Sequence, residues 1–211
     1  MNSTTTSTAQ SRLSAVWDPL VRTTHWLLVG AFATAYVTAE EDVGTPDNWH
    51  VWAGYLVGAL VIVRVFWGFA GTRYARFSDF VTGPLTAFGY LRDLVLGQAK
   101  RYLGHSPAGG AMVIMLLACL AGTVATGVMA NNGASVATVA TPARADDEGQ
   151  RRVTQSSPVE PDENAIGEVH GLLANVTLAL VVLHILGVGL ASFVHRENLV
   201  WSMIIGKKRA D

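Results

Sequence analysis

The chain has 211 residues, half of them hydrophobic, only 15% charged, and a net charge of −1 at pH 7. Too little polar surface is available for a soluble globule of this size, and the apolar residues gather into runs about as long as a hydrocarbon core is thick. The single cysteine, Cys119, excludes an internal disulfide, an iron–sulfur cluster and a cysteine-rich zinc site.

Four spans of membrane length follow in chain order, over residues 20–39, 49–70, 108–129 and 171–194. The polar, Ser/Thr-rich segment before the first lacks the basic start of a cleaved leader, so that span is expected to stay as a helix. Asp18-Pro19 opens it as cap and first helical residue, and Arg22 and His25 follow within two turns. A short acidic turn, Glu40 to Asp47, leads to the second span, where Gly54 and Gly58 share a face with His50. Between Gly71 and His105 the composition turns polar. Phe80, Leu85, Phe88, Leu91 and Val95 recur there at helical spacing, which fits a helix on the membrane surface or one packed beneath the spans. The third span has no ionisable group. Residues 131–166 read as a mobile external loop before the last span, and a basic tail, Lys207 to Arg209, reads as a topology signal touching anionic lipid.

Lys and Arg concentrate at one face: Arg22, Arg73, Arg76, Arg92, Lys100, Arg101, Arg196 and the tail. Acidic residues dominate the other, so both termini are expected in the cytoplasm. Depth then sorts the histidines. His170 and His184 are 14 residues apart, just under four turns, so both leave one helix face ~21 Å apart. His25 precedes the outer end of its span by the same distance, and His50 starts a helix that enters from outside. Two level pairs result, His25 with His184 and His50 with His170. His105 and His195 lie at cytoplasmic span ends, where a solvated or interfacial histidine needs no special role.

Paired imidazoles inside apolar helices narrow the chemistry. No intramembrane carboxylate accompanies either pair, which disfavours a divalent cation or a proton path. Haem iron already has four macrocycle nitrogens and needs only two axial imidazoles. Arg22, and less directly Arg64, are placed to meet haem propionates at the inner site. With no Cys-x-x-Cys-His present, such a haem is of the non-covalent b type.

At this point WDPLVRTTHW, WHVWAGYLVGALVIVRVFWG, GHSPAGG, HGLLANVTLALVVLH and HRENLVWSMIIGKKR together resemble the bacterial cytochrome b561 family. That family is similar to the b-type cytochrome subunits of nickel–iron hydrogenases. Ser106 stands where it commonly has Asn. The resemblance spans all four helices. It implies one membrane domain over 1–211, an all-α four-helix transmembrane bundle with a haem-binding core, in a bacterial inner membrane. It also implies two b haems ligated at His25, His50, His170 and His184.

Electron transfer between quinone in the bilayer and an external redox partner follows as the expected function. Partners in the family include hydrogenases, soluble c-type cytochromes and, for some members, superoxide; no nucleic acid is expected. Two other readings use the same spans: an anchor subunit of a larger oxidoreductase, and a non-redox anchor or transporter with histidines as interhelical contacts.

Overall fold

The structure, a computed structural model, describes residues 13–39, 48–139 and 161–209. Four long helices dominate it: α1 (Pro19–Val37), α2 (Asn48–Ala70), α5 (Pro107–Val139) and α6 (Pro161–Val194). Between α2 and α5 come a 3-10 turn, Arg73–Ala75, and the short helices α3 (Phe77–Phe80) and α4 (Pro84–Val95). A last helix, α7 (Leu199–Ile205), precedes a strand, β2 (Lys207–Arg209), which pairs antiparallel with β1 (Leu13–Ala15). Apart from that ladder the regular elements of the described residues are all helical.

Among the described residues three helices are long and apolar enough to cross a membrane: α2, α5 as far as Asn132, and α6 from Ala165. The first helix has the expected position, but Arg22, Thr23, Thr24 and His25 make its opening turns polar. Its start is built as the sequence suggests: Asp18 accepts from the Leu20 amide at 2.8 Å, with Pro19 as first helical residue. Large apolar side chains such as Ile62, Phe66, Phe69, Leu183, Leu186 and Phe193 point outward and stay exposed. That inversion of the soluble pattern suits a surface facing lipid.

Small residues hold the helices close. The side chain of Val124 on α5 fills the space a Cβ at Gly58 of α2 would need, 2.9 Å away. Between α5 and α6 the hydroxyls of Thr123 and Thr177 lie 3.4 Å apart, and Thr177 is wholly buried. Ala31 of α1, Val57 and Val61 of α2, and Leu120 of α5 form a common apolar core. Tyr36 of α1 donates to Asn175 of α6 at 3.0 Å.

The short elements all gather at one end of the long helices, here named the basal end. The opposite, distal end carries the start of α2. At the basal end the amides of Val16 and Trp17 both donate to the Gly206 carbonyl, at 3.1 and 3.2 Å. Gly206 closes α7 with a left-handed φ of 81°, which a side chain would strain. Helix α4 buries Ala87, Tyr90 and Leu94 against α5 and α6 while Leu85, at 85% exposure, and Phe88 face away. It is thus packed on one face and apolar on the free one.

Two expectations need correction. The external loop is narrower than residues 131–166, because α5 runs on to Val139 and α6 already begins at Pro161. Once a span is helical each further residue adds a hydrogen bond without new nucleation, and Pro161-Asp-Glu is a favourable helix start. The acidic turn 40–47 and residues 140–160 lie outside the described residues. The basic tail is not simply solvated either. Lys208 is buried, donates to the Tyr102 carbonyl at 3.0 Å and lies 3.8 Å from the Glu197 carboxylate, which also pairs with Arg101.

Candidate functional site

Near the distal end, His50 in the first turn of α2 faces His170 of α6, with ring centres 5.9 Å apart. His50 Nδ1 is 2.7 Å from the Ala35 carbonyl of α1, and His170 Nδ1 is 2.9 Å from the Thr123 carbonyl of α5. A carbonyl oxygen only accepts, so each Nδ1 carries the proton and each Nε2 keeps a lone pair for a ligand. The hydroxyl of Thr126 lies 3.4 Å from His170 Nδ1. Gly127 makes room for this ring: a Cβ there would come within 2.9 Å of Cε1 and 3.1 Å of Nδ1.

Toward the basal end, His25 of α1 faces His184 of α6, ring centres 6.5 Å apart. Trp26 packs edge-on to His25 at 5.2 Å, and His25 Nδ1 is buried with no hydrogen-bond partner among the described residues. Four histidines from three helices thus form two facing pairs, as the spacing of 14 residues predicts.

Arg22 and Arg64 are both at the basal end but are partly committed. Arg22 donates to the Ile204 carbonyl, leaving its Nε buried and unpartnered. Arg64 is buried in α2, donates to the Ala75 carbonyl at 3.4 Å and stands 5.3 Å over the Phe77 ring, with one terminal nitrogen lacking a partner.

His105 is the residue that sequence reasoning passed over. It is no solvated end group: its ring packs 4.8 Å from Trp17 and 4.4 Å from Phe80, and Nδ1 is buried without a partner. Burial, then the nearby Arg64, Lys208 and His184, push its pKa down to about 3, so the ring stays neutral. Neither enclosing ring is close in sequence, so no local pattern marks the position. His195, by contrast, takes part in a polar contact, its Nε2 lying 3.3 Å from the Tyr90 hydroxyl.

Two imidazoles sharing one metal, each about 2 Å from it through nitrogen, bring their ring centres to roughly 6 Å. Both pairs have that separation, and at the basal end Arg22 and Arg64 each keep a buried guanidinium nitrogen with no partner among the described residues. Among the described residues no group of three or more His, Cys, Asp or Glu side chains comes together to hold a bare ion. The donor set therefore fits a metal that arrives with its equatorial ligands already in place, as haem does. The family model described as prokaryotic cytochrome b561 matches residues 16–206. The chain belongs to that family. Prokaryotic cytochrome b561 proteins are membrane b-type cytochromes of electron transfer, with b-type haem as cofactor. No curated protein and no solved structure matches the chain.

Proposed function

We propose that residues 1–211 form one membrane domain, a four-helix transmembrane bundle of α1, α2, α5 and α6, that holds two b haems. His50 and His170 would hold the distal haem iron, and His25 and His184 the basal one. Bound haem supplies a one-electron carrier at each level. The basal end faces the cytoplasm with both termini, in accord with the basic residues gathered there. The chain carries electrons across the bilayer between the quinone pool and a redox partner at the distal, external face.

The single observation that carries this reading is the facing of two imidazole pairs at metal-sharing distance, 5.9 and 6.5 Å, at two depths. The protein's own work is positional. Ala35 and Thr123 fix the tautomer of the distal rings. Arg22 and Arg64 offer their unpartnered nitrogens to the carboxylates of the basal haem.

Purified protein is expected to contain two haems per chain and to show reduced b-type absorption bands. His170→Ala and His184→Ala should each leave one haem. Unchanged haem content in both variants, or a stable haem-free wild type, would sink the proposal and favour a non-redox anchor. Copurification with a large metalloenzyme would identify an anchor subunit; quinone turnover by the isolated chain would identify a free-standing oxidoreductase.

A further inference from the structure

The two ring pairs differ in what surrounds them. At the distal pair both Nδ1–H groups donate to main-chain carbonyls, His50 to Ala35 at 2.7 Å and His170 to Thr123 at 2.9 Å. Such a bond pulls the proton away from the ring and raises the basicity of the opposite nitrogen. A stronger axial donor stabilises the oxidised metal, which carries the greater positive charge, and so lowers the reduction potential.

At the basal pair His25 Nδ1 is buried and has no acceptor among the described residues. Arg22 stands one turn before His25 on the same helix, and the buried Arg64 lies at the same end. A fixed positive charge inside a low-dielectric wall favours the reduced form, which has one positive charge fewer.

We propose that the distal pair defines the lower-potential haem site and the basal pair the higher, the gap being built by positioning groups rather than by the ligands, which are all histidines. Ala35, Thr123 and Gly127 act through the distal rings; Arg22 and Arg64 act on the basal site. This rests on the two-haem reading above. One electron passing from the distal to the basal site oxidises the first and reduces the second, with no proton transfer and no bond change at either ring. That direction is downhill.

Potentiometric titration of the haem absorption in the purified holoprotein tests the assignment. Two waves are expected in the wild type. Gly127→Ala crowds His170 off the Thr123 carbonyl and should move the lower wave upward while leaving the upper one in place. Arg64→Gln should move the upper wave downward and leave the lower one. Should Gly127→Ala fail to fold, His184→Ala retains the distal pair alone, and its single wave must coincide with the lower wild-type wave. Coincident wild-type waves, a Gly127→Ala shift in the upper wave, or a His184→Ala protein titrating with the upper wave would each overturn the proposal. Absence of haem bands altogether would overturn the two-haem reading instead, and this inference with it.

Discussion

The distal and basal ends position histidines in opposite ways. At the distal end the rings are anchored by the main chain of neighbouring helices, through the carbonyls of Ala35 and Thr123. At the basal end the ring pair sits above a cap assembled from α3, α4, α7 and the ladder, rich in charge and in buried polar atoms without partners. Backbone carbonyls come with the helices and survive most substitutions. A cap of side chains does not. The distal site is thus a property of helix packing, whereas the basal site depends on ion pairs and loop conformation contributed from far along the chain.

The sharpest way to break this contrast is to disarm the cap. Glu197→Gln removes the carboxylate that Arg101 and Lys208 share in a mostly buried place. A loss of about 3 kcal/mol is expected, since removing one partner of a buried pair strands the other. In thermal melts followed at the haem bands, basal haem should leave first; simultaneous loss of both haems would show that the two ends are not separable.

A smaller effect should come from acid. His105 is held neutral with a pKa near 3, against 6.5 for the exposed ring. Above pH 6.5 both folded and unfolded states are neutral there. As the pH falls toward 3 only the unfolded state gains the proton, so stability is lost through that window. At pH 5 this amounts to about 2 kcal/mol. His105→Gln should remove that part of the acid sensitivity, measured as the change in melting temperature between pH 7 and pH 5. Identical pH dependence in variant and wild type would contradict the enclosure.

Of similar size is Gly206→Ala, at about 2 kcal/mol: it puts a side chain in the left-handed region and sets its Cβ 2.6 Å from Arg22 Nη1 and 3.2 Å from the Trp17 carbonyl. Because the Gly206 carbonyl receives Val16 and Trp17, the loss should again weaken the basal site and spare the distal one, as read from haem retention after mild heating.

Much of the frame was readable in the residues. Helix starts at Asp18-Pro19 and Trp49-His50 and the level pairing of histidines follow from rise per residue and antiparallel neighbours alone. Those are properties of regular helices, and a one-dimensional pattern encodes them well. What escaped was the cap. The enclosure of His105 by Trp17 and Phe80, and the burial of Lys208 beside Glu197, join segments distant in the chain, where no period exists to read. Arg22 was expected to serve a haem carboxylate and in fact also holds the Ile204 carbonyl, a partner almost a full chain length away. Helix ends were misjudged at residues 131–166 because polar composition signals exposure, and an exposed helix is still a helix.

Pairing of β1 with β2 has an implication for how the molecule is made. During synthesis the segment before α1 is made first and must wait for Lys207–Arg209, which follows all four long helices in the chain. Until then β1 has no strand to pair with, so the closure of the basal end waits on the segment that follows α6.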